Sequence, residues 1–131
     1  MTAKTLPKIM IVEDDDIIRE VYTLKFELEG FPVTAAENGQ IALERAASFE
    51  PDIILLDMMM PVMGGLDFMR AWRALPERAA EVIVFSNISA PNQMNEVLAL
   101  GASEYWVKSD YTPDRATTAI VERWQRRDNQ K

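Results

Sequence analysis

Five polar side chains suited to chemistry stand at or just after the ends of short apolar runs in this sequence. They are Glu13, Asp14, Asp57, Ser86 and Lys108. Carboxylates crowded at one place repel one another unless they are protonated or hold a cation. Oxygen ligands without nitrogen or sulfur favour a hard ion, Mg²⁺ or Mn²⁺, which usually keeps water and phosphate among its ligands. If the fold brings the three acids together, they predict a divalent-metal site.

Asp57, Ser86 and Lys108 would supply the other parts of a site that accepts a phosphoryl group. A carboxylate can act as the nucleophile, while a hydroxyl and an ammonium group can hold the transferred oxygens. The alternative is a purely structural cluster, in which Lys108 pairs with Asp57 and the acids after Val12 cap a helix. The residue types alone leave both interpretations open.

The elements that must position these residues alternate along the chain. Short apolar runs, typical of buried parallel strands, are followed by segments of helical periodicity in five repeats of strand and helix. Because a parallel crossover needs a dozen or more residues, this spacing predicts a parallel sheet covered by helices on both faces. Ligands of such doubly wound α/β sheets bind beyond the carboxyl ends of the strands. The polar side chains stand at those ends.

Two of the predicted helices carry clear signals. The segment Asp15–Glu29 is followed by Gly30 at a C′ position. Four apolar residues share one face of this helix, a pattern typical of a core-facing side: Ile17, Val21, Leu24 and Leu28. The last helix has Thr112 as its predicted N-cap and Pro113 at its first position.

Composition narrows the function classes. The 131 residues suit one domain, expected to span residues 1–131. The absence of cysteine and histidine excludes thiolate and imidazole chemistry from this chain. A net charge of −7 argues against direct nucleic-acid binding. Since no apolar stretch approaches the ~18 residues of a membrane span, we expect a cytoplasmic protein without membrane contact.

Four ordered segments resemble the receiver domain of two-component response regulators. They are Lys8–Asp15 (KIMIVEDD), Asp57–Gly65 (DMMMPVMGG), Phe85–Ser86 and Gly101–Lys108 (GASEYWVK). The Asp-x-x-Met-Pro-x-Met-x-Gly loop is the most specific of them. The resemblance covers about residues 6–127 and implies a flavodoxin-like three-layer sandwich with a five-stranded parallel sheet in the order 2-1-3-4-5.

The resemblance also implies a role for each site residue. The implied roles are Asp57 as phosphoacceptor, Glu13 and Asp14 as the metal-binding pair, the Met59 main-chain carbonyl as a further metal ligand, Ser86 as switch hydroxyl, Lys108 as phosphate-binding lysine and Tyr105 as switch aromatic. The implied function is a Mg²⁺-dependent switch, with Mn²⁺ possible as a substitute. It would take a phosphoryl group from a sensor histidine kinase or a phosphotransfer protein and control a downstream protein partner. The chain would catalyse only its own phosphorylation and dephosphorylation, as a monomer or a weak phosphorylation-dependent dimer.

Three departures from the family pattern generate further expectations. Ser109 follows Lys108 where the family usually has a proline in a cis peptide, so we expect a trans bond. Asn87 replaces a very small residue, so access of small phosphodonors to Asp57 should be tighter. Apolar Met59 and Ile88 stand where the family often places polar groups that guide water, which predicts a long-lived phosphoaspartate.

Other functions of a similar sheet fit less well. Haloacid-dehalogenase phosphatases carry a second acid two positions after the nucleophile, whereas Asp57 is followed by three methionines. Flavin-binding domains have a phosphate loop rich in glycine, serine and threonine after the first strand, and this chain has acids there. A degenerate receiver, acting as a phosphorylation-independent interaction module, remains the alternative.

Overall fold

Five strands form one parallel sheet in the order β2-β1-β3-β4-β5. The computed structural model describes residues 6–75, 79–87 and 91–129. The strands are β1 Ile9–Val12, β2 Val33–Ala36, β3 Ile53–Leu56, β4 Glu81–Ser86 and β5 Glu104–Val107. The helices are α1 Asp16–Leu28, α2 Gly39–Phe49, α3 Gly65–Arg73, α4 Pro91–Ala99 and α5 Pro113–Asn129, with a 3₁₀ turn at Lys108–Asp110. The predicted doubly wound fold and its strand order are confirmed.

Helices cover both faces of the sheet and create two apolar cores. The core under α2, α3 and α4 contains Phe68, Met69 and Trp72 of α3. The opposite core, under α1 and α5, contains Phe26 and Ile120. Because β1 and β3 are buried on both faces, their residues are apolar throughout instead of alternating.

Helix α1 buries a different face from the one predicted. Tyr22 and Phe26 pack on the sheet, and the Tyr22 ring meets the Phe85 ring edge-on at 5.2 Å. The predicted face is exposed instead, and we call it the outer stripe of α1: Ile17 (74% exposed), Val21 (46%), Leu24 (57%) and Leu28 (74%). The prediction was wrong because α1 carries two apolar stripes, and the aromatic one offers the larger area to bury.

The chain around Lys108 and α5 follows the sequence-based expectations. The Arg115 backbone N–H donates to Thr112 Oγ1 at 3.1 Å, so Thr112 caps α5. The Lys108–Ser109 bond is trans, since the described residues contain no cis peptide.

Within the described residues, no helix combines the length and apolarity needed to cross a membrane.

Candidate functional site

Strand register brings the ends of β1 and β3 to the same level. Val12 lies beside Leu56 in the sheet, and the Asp57 N–H donates to the Val12 carbonyl at 2.9 Å. Glu13 is anchored on the other side, where its N–H donates to the Ala36 carbonyl at 2.9 Å. The residues that follow these paired strand ends must therefore be neighbours at the carboxyl edge of the sheet.

The three acids predicted from the sequence do converge at this edge. Carboxylate oxygens of Glu13, Asp14 and Asp57 lie within 4.8 Å of one another. Glu13 and Asp57 are buried, at 2% and 5% exposure, whereas Asp14 faces solvent. A donor set made only of carboxylate oxygens, with one open side, fits Mg²⁺ or Mn²⁺ better than a soft metal.

Crowding changes the acidity of Asp57. Burial raises the pKa of its carboxyl group to about 7, the negative charge of Glu13 adds to the rise, and Lys108 partly opposes it. Without a cation, Asp57 is consequently protonated in a large fraction of molecules at neutral pH. A divalent ion held by these acids would favour the ionised carboxylate.

Lys108 reaches the acids from the adjacent 3₁₀ turn. Its Nζ lies 2.5 Å from Glu13 Oε1 and 3.5 Å from Asp57 Oδ1, and its side chain is only 11% exposed. The ammonium group is thus close enough to serve as the ion-pair partner of both acids. The same ammonium group is close enough to Asp57 to donate a hydrogen bond to an oxygen of a group bound to that carboxylate.

The acids and Lys108 line a cleft of about 360 Å³. Its remaining lining residues are Asp15, Ile18, Met59, Ser86 and Asn87. Ser86 is the buried last residue of β4 rather than the first residue after it. Asn87 is exposed and also lines the cleft, and its expected narrowing of access to Asp57 stays a prediction.

Met59 lines the cleft, whereas Tyr105 does not. The Met59 N–H approaches Asp57 Oδ1 at 3.5 Å, and its side chain is 61% exposed. Tyr105 is half-buried and packs with the core under α2, α3 and α4. The predicted switch aromatic is therefore outside the cleft but on the strand that leads to Lys108. Ile88, the other predicted flanking residue, lies outside the described residues.

Sequence reasoning missed one residue that contacts the acidic loop. Arg19 Nη1 donates to the Glu13 carbonyl at 2.8 Å and to the Asp14 carbonyl at 3.4 Å. Its Nη2 lies 2.5 Å from Asp16 Oδ1. A basic residue at the fourth position of the helix that follows an acidic loop is the only signal of this role in the sequence.

Known proteins resemble this chain in sequence and in structure. Residues 9–120 match the description of the response regulator receiver domain. Regulatory protein AtoC of Escherichia coli (strain K12) is 34% identical over 108 residues, covering 82% of this chain and 23% of that protein. Transcriptional regulatory protein CseB of Streptomyces coelicolor is 39% identical over 102 residues, covering 76% of this chain and 42% of that protein.

A solved structure supports the same fold. The CheY-like receiver domain protein from Methanospirillum hungatei superposes with a TM-score of 0.85 at 23% identity, covering 97% of this chain and all of that one. At this identity the likeness concerns the fold alone.

These comparisons bear on the predicted exclusion of nucleic acid. The chain spans less than half the length of the two curated relatives, and CseB is named a transcriptional regulatory protein. Net charge describes only the residues of this chain and carries no information on the function of a longer protein. The exclusion of nucleic acid is therefore unsupported.

Proposed function

Because this chain belongs to the response regulator receiver domain family, we propose that Asp57 is its phosphoacceptor in a two-component phosphorelay. The observation that carries the proposal is the convergence of Glu13, Asp14 and Asp57 with the Lys108 ammonium in one cleft. The receiver unit spans about residues 6–127. It works as a signalling switch and transforms no substrate other than its own phosphodonor.

Each residue contributes one step of the transfer. An Asp57 carboxylate oxygen attacks the phosphorus of a phosphohistidine on a partner kinase or phosphotransfer protein. The P–N bond breaks, its electron pair stays on the imidazole nitrogen, and that nitrogen takes up a proton from solvent. Lys108 holds one phosphoryl oxygen as the charge on the group is redistributed.

The acidic residues would hold a divalent ion during this transfer. Glu13, Asp14 and Asp57 are the carboxylate ligands that we assign to Mg²⁺, with the Met59 main-chain carbonyl as a further ligand. When bound, Mg²⁺ neutralises charge on the phosphoryl oxygens and on the crowded acids. Mn²⁺ is an alternative ion for the same oxygen donors.

Phosphorylation would alter the surface through Ser86, Lys108 and Tyr105. The acyl phosphate adds negative charge in a cleft whose lining donors include Ser86 and Lys108. Their movement toward this group changes the end of β4 and the turn after β5. Tyr105, on β5, would then repack toward α4 and change the surface seen by a downstream protein.

The outer stripe of α1 supports a docking site for the phosphodonor protein. Ile17, Val21, Leu24 and Leu28 follow one another at intervals of four, three and four residues, the spacing of a helix-packing seam. The stripe is continuous with the cleft, since an apolar groove beside Ile17 and Val21 is also lined by Lys108. A helix packed along the stripe could therefore carry its phosphohistidine to Asp57.

The charged residues that border the outer stripe of α1 determine which partner helix is complementary to it. Glu20 and Glu27 are exposed and border the stripe along one side. A second copy packed antiparallel would bring these carboxylates against those of the first copy, which is unfavourable. A donor helix with an apolar seam and flanking lysine or arginine residues is complementary.

Intact mass measurement after incubation with acetyl phosphate and Mg²⁺ tests the assignment of Asp57. We expect a mass gain of one phosphoryl group in the wild-type chain and in the control Asp67→Ala, which alters an exposed acid on α3. Asp57→Ala and wild type in excess EDTA should gain nothing. Labelling of Asp57→Ala equal to wild type would refute Asp57 as the acceptor. No labelling of wild type with Mg²⁺ would refute the proposal and favour the phosphorylation-independent alternative.

A further inference from the structure

Arg19 is tied to the backbone of the acidic loop rather than to the cleft. Its Nη1 donates to the Glu13 carbonyl at 2.8 Å and lies 3.4 Å from the Asp14 carbonyl, while Nη2 reaches Asp16 Oδ1. The Arg19 side chain is 19% exposed and its contact with the Glu13 carbonyl is partly buried, whereas Asp16 is 79% exposed and its ion pair with Arg19 faces solvent. One guanidinium group thus contacts two consecutive loop residues, Glu13 and Asp14, and the first residue of α1, Asp16.

The same loop is held internally at Asp15. The Asp15 N–H donates to Glu13 Oε2 at 3.1 Å, and the Asp15 carboxylate caps α1 by accepting from the Ile18 N–H at 2.9 Å. The directions in which the Glu13 and Asp14 side chains leave the backbone depend on the orientation of their peptide planes. Arg19 constrains those planes by donating from Nη1 to both carbonyl oxygens, while its second nitrogen, Nη2, anchors the guanidinium group on Asp16.

We propose that Arg19 is a positioning residue for the divalent cation. By binding the Glu13 and Asp14 carbonyls, it holds the two carboxylates in the arrangement that converges on Asp57. This inference rests on the proposed function, because it requires that the acids bind Mg²⁺. Loss of a comparable outer contact in metal sites typically weakens binding roughly 10- to 100-fold.

A positioning role and a purely electrostatic role of Arg19 predict opposite effects of its substitution on Mg²⁺ affinity. A positive charge beside a cation site repels the cation, so neutralising Arg19 should tighten Mg²⁺ binding by roughly two- to fivefold if charge alone matters. If Arg19 acts by positioning, the same change must weaken binding. The sign of the change in Kd therefore separates the two explanations.

A Mg²⁺ titration, monitored through the amide NMR signals of residues 13–16, gives the Kd of each variant and hence the sign of its change. We expect Arg19→Met to raise the Kd about tenfold. Arg19→Lys keeps the charge but loses the second nitrogen that anchors the side chain on Asp16, and should also raise the Kd. The matched control is Lys25→Met, which removes a cation from the same helix whose partners, Glu29 and Asp114, lie outside the loop. Its Kd should stay within about twofold of wild type.

A second readout separates positioning from a loss of structure. At saturating Mg²⁺, phosphorylation of Arg19→Met by acetyl phosphate should return to the wild-type rate, because only occupancy of the cation site is impaired. An unchanged or lower Kd in Arg19→Met overturns the proposal. If that variant fails to fold, an unchanged Kd in Arg19→Lys overturns it instead. Absence of Mg²⁺ binding in the wild-type chain would refute the proposed function, a result distinct from either of these.

Discussion

Asp57 must be buried and must also carry a negative charge, and these two requirements oppose each other when no cation is bound. Burial at the end of β3 shields it from water, which a reactive acyl phosphate requires, but burial beside Glu13 also disfavours its charge. The cost falls on the folded state, because an unfolded chain would solvate the same carboxylate. Asp57 should therefore make the stability of the protein depend on pH and on divalent cations.

The pKa of Asp57, raised from 3.8 to about 7, fixes the direction of this dependence. Its stabilising contribution is fully present below pH 3.8 and is lost as pH rises through about 7, because the folded state binds the proton more tightly. In EDTA at pH 8, Asp57→Asn should raise the free energy of unfolding by roughly 1–3 kcal/mol. Urea unfolding at pH 5 and pH 8 measures the effect.

Saturating Mg²⁺ provides the control for this prediction. It should stabilise the wild-type chain at pH 8 and leave Asp57→Asn much less affected, since the variant lacks one of the three carboxylates. Equal pH dependence in the two proteins would show that Asp57 does not carry the raised pKa.

Met59 should control how long the phosphoaspartate survives. Its side chain lines the cleft and is apolar, so it cannot hydrogen-bond a water molecule in line with the phosphorus. Met59→Asn introduces a group that can orient such a water, and should speed hydrolysis by roughly three- to tenfold. Loss of the phosphoryl mass with time, after removal of acetyl phosphate, gives the rate.

Val62→Asn is the matched control for this variant. It places the same side chain in the same loop, where Val62 is exposed and does not line the cleft. Its phosphoaspartate should decay at the wild-type rate. Equal acceleration in both variants would mean that loop flexibility, and not an oriented water, sets the lifetime.

At the scale of elements, the strands could be predicted better than the faces of the helices. β1 and β3 are continuous apolar runs, and a polar residue at the end of each run revealed the site. The face that α1 buries could not be predicted, because helical periodicity fits both of its apolar stripes. Arg19 was missed because its partners are main-chain carbonyls, which leave no pattern in the side-chain sequence.

The exposed stripe of α1 leads to a prediction about partner choice. Leu24→Asp should change the free energy of unfolding by no more than about 0.5 kcal/mol, since Leu24 is 57% exposed. Phosphotransfer from a donor protein that labels the wild-type chain should fall by roughly tenfold or more, because a charge would enter the apolar seam. Labelling by acetyl phosphate, which needs no docking surface, should stay unchanged.

Leu98→Asp on α4 is the matched control, because Leu98 is also an exposed leucine on a helix but lies on the other face of the sheet. Its transfer rate from the same donor should equal that of wild type. Equal losses in both variants would argue against docking on α1. A change in oligomeric state confined to Leu24→Asp would instead identify a second copy as the occupant.

At the scale of the whole molecule, the turn after β5 connects the cleft with the core under α1 and α5. Lys108 begins this turn, and the Tyr111 N–H donates to the Lys108 carbonyl at 3.1 Å. The Tyr111 ring stacks on Trp106, with centroids 4.3 Å apart and planes 11° from parallel. A displacement of Lys108 should therefore move the Tyr111–Trp106 pair, which lies in the core on the opposite face of the sheet from Tyr105.

Trp106 should consequently report phosphorylation through its fluorescence. The ring is buried, and its Nε1–H donates to Glu104 Oε1 of the same strand at 2.7 Å. Its face-to-face ring contact is with Tyr111 at the end of the turn, so its emission depends on a contact that the turn positions. In a Trp72→Phe/Trp124→Phe variant, Trp106 is the remaining tryptophan of the three. Acetyl phosphate and Mg²⁺ should change the emission of this variant.

Two further substitutions identify the origin of that signal. Asp57→Asn in the same background should abolish the change caused by acetyl phosphate, because no acyl phosphate forms. Tyr111→Leu should reduce the change while leaving the phosphoryl mass gain intact, since it removes the stacked ring but none of the residues assigned to the transfer. A full signal without Tyr111 would mean that Trp106 senses the cleft along β5 rather than through the turn. In that case Tyr105 and Trp106 would respond to the same strand movement instead of reporting the two faces separately.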